Sequence, residues 1–458
     1  MAIFSSLSTF LRRHRRKLLI STSVSLGVYF LFNHFVIKKF RSFQQSLKQE
    51  AFVREQIKRR FTQTQKDCYL TILALLPVLT QPILDHLPVE LVTQALKNKK
   101  GTSNAPNSIG NSKVLTDSML TTGNLENLEK SSNIDDDLSF YSTQSKTELW
   151  KILKIKTITR FLTLSYTLSG LLLITRLSMN ILARRSYLET AIQMAGDQKK
   201  SGFFGIVGGG GGNNIEADES SDYFAEQSFL SLSWWLLNKG WLTLSNNIED
   251  VVNRHFENIN ARTEISIKEF ESILNSVVQE LNSPAFEPMI ISSIFPPNNH
   301  DALVETLSNT TPEIIENLYQ KDSTLLKLID ETYFFIEDVP SFMSTYYNMV
   351  ENINLVTLIN NLSISLEPEL LMKLDNGEED SKIFEIDQVP EGKRFKLAIL
   401  LAQLSIQSAV LCDSNNVAAP QSGFDTEEEE FSGNVFINNL DSLEVLDELS
   451  ASIYSNFQ

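Results

Sequence analysis

The sequence predicts an all-α protein: an elongated, single-domain helical bundle around one long buried central helix, with one N-terminal transmembrane anchor. Three observations predict it. Apolar residues recur at spacings of three and four over most of the chain, and no segment keeps the two-residue alternation of a strand. Leu18–Ile37 runs twenty residues without Asp, Glu, Lys or Arg, and a helix rising about 1.5 Å per residue then crosses roughly 30 Å of hydrocarbon. Phe161–Thr175 is also charge-free, but only fifteen residues lie between Arg160 and Arg176. That is too short for a span, so it reads as a helix buried on all sides in a core.

Basic residues bracket the anchor. Arg12, Arg13, Arg15, Arg16 and Lys17 end a targeting segment, residues 1–17, and Lys38, Lys39 and Arg41 follow the span. Their charged heads can sit among lipid headgroups while the apolar body stays in the acyl region. A cleaved signal peptide would have a shorter apolar run and small residues after it, where this chain has Lys38-Lys39-Phe40-Arg41. The acid-free, Ser- and Arg-rich start also suits a mitochondrial presequence.

Residues 1–60 hold 13 Lys/Arg against 2 Glu, whereas the whole chain carries −16. The body, residues 40–458, is therefore strongly acidic. That argues against nucleic acid as a partner, because its binding needs Lys and Arg to replace counterions. Two cysteines, Cys68 and Cys412, make no disulfide framework and suit a reducing, cytosol-facing body.

In chain order, residues 40–76 read as one amphipathic helix with Ile57, Phe61, Cys68, Ile72 and Leu76 on its apolar face, interrupted at Pro77. A second helix starts at Pro88 and places Val89, Val92 and Leu96 together. Residues 98–145, rich in Asn, Ser and Thr, read as a disordered insertion. The central helix follows from Lys146 to about Ile192. Residues 197–222 read as a second disordered insertion. Its run Gly208–Gly212 is followed by Asn213-Asn214 rather than the Lys-Ser/Thr of a phosphate loop. Two or three helices occupy 223–282, with Trp234 and Trp235 as core aromatics and an amphipathic stripe along Val251–Leu281. Thr311-Pro312-Glu313 is a helix start. Helices are expected near 312–337, 340–363, 392–413 and 440–455, separated by acidic loops at about 374–390 and 414–435.

No catalytic constellation is present in the sequence. The five histidines are scattered without metal-ligand spacing, and there is no His-Glu-x-x-His or Gly-x-Ser-x-Gly. The expectation is a non-enzyme with no cofactor and no metal. One local feature suggests a binding surface. At about 100° per residue, Ile152, Ile155, Leu162 and Tyr166 form one stripe of the central helix, and Trp150 points roughly 150° away. It shares that face with Lys146, Lys154 and Thr157. Its surroundings are basic in an acidic body: Lys97, Lys99, Lys100, Lys151, Lys156 and Arg160 against Glu148. An aromatic ringed by charge is the usual composition of a binding hot spot. The competing expectation is that Trp150 packs on the helix ending at Leu96.

Several blocks resemble the peroxin-3 family: Arg12–Lys17 with Gly27-Val28-Tyr29, Phe61–Pro77, Leu96-Lys97-Asn98, Glu148–Ile155, Arg176–Ile181 and Leu328–Thr332. The similarity covers most of the chain, with atypical insertions at 99–145 and 202–222. The resemblance implies a single-pass protein of the peroxisomal membrane with its body in the cytosol, passage through the endoplasmic reticulum being an open route. It implies a docking receptor for peroxin-19, the soluble chaperone of new peroxisomal membrane proteins, which would insert an amphipathic helix into a groove. The family's groove residues carry over to Leu96, Lys146 and Trp150, with a further lysine at Lys396; Leu153 and Lys154 complete the expected partner-binding set. Peroxisomal membrane lipids, and adaptors for organelle inheritance and selective autophagy, are the other implied partners. A membrane tether or adaptor is the alternative function. The excess of basic residues before the span favours a cytosolic N-terminus; the resemblance implies the reverse.

Overall fold

A computed structural model describes residues 38–101, 134–200, 215–317, 323–366, 393–414 and 434–456. The targeting residues Arg12, Arg13, Arg15, Arg16 and Lys17, the anchor Leu18–Ile37, the acidic loop 374–390 and most of 414–435 lie outside the described residues. By contact the chain divides into two units, Met1–Gln63 and Thr64–Gln458. The described part of the first is one stretch of helix, residues 38–63. The second is an all-α bundle.

The helices, in order, are α1 Lys38–His86, α2 Val89–Gly101, α3 Ile134–Thr143, α4 Lys146–Lys200, α5 Ile215–Leu230, α6 Trp241–Phe256, α7 Ile267–Leu281, α8 Glu287–Ile294, α9 His300–Thr310, α10 Thr324–Tyr333, α11 Pro340–Glu351, α12 Leu358–Leu366, α13 Leu397–Cys412, α14 Val435–Asp441 and α15 Glu444–Ser455. Single π-turns at Leu236–Gly240, Phe334–Asp338 and Asn352–Thr357 join several of them.

α4 organises the bundle. Every residue from Thr157 to Ser178 is buried, and the most apolar stretch of the helix lies wholly inside the protein. Phe161–Thr175 is thus a core helix, as its length requires. Its hydroxyls are tolerated because several return their hydrogen bonds to the preceding turn, as Thr157 does to Leu153 O at 2.7 Å and Thr167 to Thr163 O at 2.7 Å. Three buried arginines fasten other helices to it. Arg160 pairs with Glu90 of α2 at 2.8 Å and donates to Ser405 of α13 at 2.9 Å. Arg176 pairs with Asp441 of α14, and Arg184 pairs with Glu331 of α10 while donating to Ile453 O of α15 at 3.0 Å.

Four differences from the sequence expectation have physical causes. Pro77 and Pro82 lie inside α1, which runs on without a break. Leu76, Leu79 and Ile83 are fully buried beside them, and that packing outweighs the ~3 kcal/mol a proline costs in a helix interior. Part of the expected insertion 98–145 is helical, since α2 extends to Gly101 and α3 covers Ile134–Thr143. The second, 197–222, is helical at both ends, where α4 reaches Lys200 and α5 begins at Ile215. Two short strands form where none was expected: β1 Glu264–Ser266 pairs antiparallel with β2 Arg394–Lys396, opposing Glu264 to Lys396. β1 splits the stripe Val251–Leu281 into α6 and α7. Ser266 then starts α7 through a reciprocal capping box with Glu269.

Candidate docking groove

Among the described residues, the apolar interior is two clusters. The large one surrounds α4 from Ile155 onward. The small one sits at the start of α4 and is built from α2 (Val89, Leu91, Val92, Ala95, Leu96), Tyr141 of α3, and Leu149 and Leu153 of α4; Trp150 and Ile152 pack against it while staying partly exposed. Local chemistry sets each piece. Ser145 begins α4: its side chain accepts the Glu148 amide at 3.2 Å and its carbonyl accepts Leu149 N–H at 3.0 Å. Glu148 also lies in the first turn, where the helix dipole favours an acid. α2 starts just after Pro88, and Thr93 returns its hydroxyl to Val89 O at 2.8 Å. The Arg160–Glu90 pair then clamps α2 to α4 below the small cluster. With side chains only 2% and 8% exposed, it fixes the angle from which Leu96 and Trp150 approach each other.

The six residues of the expected set are placed unequally. Trp150 is half-buried and Lys146 is exposed. Leu96 and Leu153 face into the small cluster at 5% and 1% exposure. Lys154 turns inward: its ammonium donates to Ile259 O at 2.8 Å and to Phe256 O. Those carbonyls lie at and just beyond the C-terminus of α6, where the helix dipole favours a cation. Burial is the main cause that lowers the Lys154 pKa, with repulsion from Lys151 second; Glu257 opposes both. Lys396 is exposed on β2. The segment that holds Lys154 continues into β1, which pairs with the strand carrying Lys396. Leu397 N–H and Ala398 N–H donate to Thr263 O and Ala261 O at 2.9 and 3.1 Å. Lys154 thus holds the end of α6, and the chain that follows it pairs with the strand carrying Lys396.

Arg160 does not belong to the basic surroundings that the sequence suggested, because it is buried and neutralised by Glu90. Lys146 and Lys151 are exposed, while Lys97 and Lys99 are partly so. Tyr141 went unrecognised in the sequence because it lies in a stretch read as disordered. Its signal was the apolar run Leu138-Ser139-Phe140-Tyr141 just ahead of the Ser145-x-x-Glu148 helix start. What this arrangement offers is an aromatic face over an apolar seam, rimmed by ammonium groups. That is the composition of a surface that grips a helix with one apolar stripe and acidic flanks.

A separate cleft of about 480 Å³ opens beside α11, lined by Glu287, Glu337, Met343, Tyr347 and Glu351 among others. It contains none of the expected site residues. Tyr347 donates to Glu287 there at 3.1 Å.

A family model described as Peroxin-3 matches residues 9–456. The chain is 52% identical over 459 residues to the Peroxisomal biogenesis factor 3 of Debaryomyces hansenii, with 100% of both chains covered. It is 32% identical to the Peroxisomal membrane protein PEX3 of Komagataella phaffii over 98% of each chain. Against the Peroxisomal biogenesis factor 3 of Cricetulus longicaudatus it is 23% identical, over 79% of this chain and 80% of the other.

Proposed function

The chain belongs to the peroxin-3 family, and from that premise we propose that it serves peroxisome membrane biogenesis as the docking receptor for peroxin-19. Its N-terminal segment roots it in the peroxisomal membrane as a single-pass protein, with the bundle in the cytosol. Peroxin-19, carrying a newly made membrane protein, lays an amphipathic helix across α2 and the first turns of α4. Trp150 is the anchor. Leu96 supplies the apolar seam, and the exposed ammonium groups of Lys146 and Lys396 are the ones expected to meet acidic residues of the partner. Leu153 and Lys154 act from below, one filling the seam and the other holding α6 against α4. No step calls for catalysis.

The observation that supports this reading is the seat of Trp150 on a small apolar cluster separate from the main core, beside the exposed Lys146 and Lys151. Half-burial alone does not set it apart, because Trp234 and Trp235, expected as core aromatics, are also half-buried. The experiment is capture of peroxin-19 by the full-length chain in detergent, before and after Trp150→Ala. Loss of capture with an unchanged melting curve supports the docking role; capture equal to wild type removes it.

A further inference from the structure

The seam assigned to the partner is already covered from within the chain. Leu96 is 5% exposed. α2 and α4 account for most of the small cluster, and the remaining contributor is Tyr141, 8% exposed, from α3. α3 packs along α2. The turn between α3 and α4 is fastened by Lys99, whose ammonium donates to the Gln144 carbonyl. Phe140 meets Tyr141 edge to face, with ring centroids 5.5 Å apart, and is itself 58% exposed. An apolar edge therefore continues outward from the buried tyrosine.

α3 is ten residues long. Helices shorter than about 12–15 residues are marginal in water by themselves, so α3 holds its form through what it packs on. Among the described side chains of α3, Tyr141 makes that contact by seating in the cluster. The same cluster presents the face on which Trp150 stands. A helix arriving with a large apolar side chain needs the volume that Tyr141 fills.

We propose that α3 is an intramolecular competitor for the docking groove: Tyr141 occupies the seat of the partner helix's apolar anchor, and docking requires α3 to yield its place on α2. The inference rests on the docking role proposed above and adds to it a built-in check on affinity. With α3 seated, the groove is only fractionally competent, and the apparent affinity falls by that fraction. The partner best able to displace α3 carries a bulky aliphatic or aromatic residue on its apolar stripe.

The test uses the full chain in detergent and a fluorescently labelled peptide of the peroxin-19 amphipathic helix, read by anisotropy. Two variants unseat α3 by different routes. Tyr141→Ala removes the side chain, and Ser139→Pro breaks the helix at its middle while leaving Tyr141 in place. Both are expected to lower Kd by about threefold or more, with melting temperatures close to wild type. An unchanged or raised Kd in either variant overturns the proposal, for α3 would then be a wall of the groove or irrelevant to it. Trp150→Ala measured in the same assay separates the two readings. If it weakens binding while the α3 variants fail to tighten it, only the competitor is lost; if it has no effect, the groove assignment falls and the competitor with it.

Discussion

The first two turns of α4 and its middle belong to one helix but meet opposite surroundings. From Thr157 to Ser178 every side chain is buried, the hydroxyls of Thr157, Ser165 and Thr167 fold back onto the backbone, and each arginine faces a carboxylate from another helix. Between Lys146 and Ile152 the same helix has one apolar edge on α2 and leaves Trp150 half-covered. The middle can change little without loss of the bundle. The start is packed firmly enough to hold its shape and is exposed enough to be used. On the docking role proposed above, a rigid helix carries the recognition surface on a foundation that supplies the geometry but takes no part in contact.

If that division is right, damage to the two regions should register in different measurements. The largest effect is expected where they join. Glu90→Ala leaves the Arg160 guanidinium buried without its carboxylate, and breaking such a pair costs roughly 3–5 kcal/mol. Chemical denaturation should report a loss of that size, and peptide binding should fall as well, because the pair sets α2 against α4. Next is Leu172→Ala, at a position with 0% exposure. A cavity there should cost about 2–5 kcal/mol of stability with little change in the Kd of molecules that remain folded. Trp150→Ala should do the converse. Binding should weaken by ~2–4 kcal/mol, about thirtyfold or more in Kd, while the melting temperature stays within about 2 °C. A fall in melting temperature that tracks the binding loss would merge the regions and break the comparison.

The smallest expected effect concerns Lys154, which belongs to both. Its pKa is lowered from the ordinary 10.5, chiefly by burial. In the window beneath 10.5 the unfolded chain therefore holds this proton more tightly than the folded one, and the contribution of Lys154 to stability rises with pH. Lys154→Met, which strips donors from the Phe256 and Ile259 carbonyls, should cost about 1–3 kcal/mol at neutral pH. The gap between wild type and variant should widen as pH approaches 10.5. Melting curves across that range check the sign; a narrowing gap would contradict it.

The middle of α4 was legible in the sequence because fifteen charge-free residues between Arg160 and Arg176 admit few alternatives to a buried helix. Trp150 stood out from the apolar stripe of its own helix, and the competing expectation, that it packs against the helix ending at Leu96, is met in part by its contact with the small cluster. Other features were hidden for definite reasons. The three-residue strands β1 and β2 are too short to show a period, and their pairing joins residues far apart in the chain. α3 was masked by the Ser- and Asn-rich composition around it, since it owes its place to Tyr141 packing on a helix that only the fold brings near. Lys154 sits on the polar face by periodicity, yet α6 ends where its ammonium can reach two carbonyls. Sequence periodicity describes a helix against an average environment; these residues depend on one particular neighbour.

The central claim, that the start of α4 recognises a partner while the rest carries the fold, is tested most directly by hydrogen–deuterium exchange of the full chain with and without the peroxin-19 helix. The account predicts new protection in α2, Val89–Gly101, and over the first turns of α4 from Lys146 to Leu153, and no new protection beside the cleft at Glu287, Glu337 and Glu351. Protection that appears at that cleft and leaves α2 and the start of α4 unchanged would contradict it.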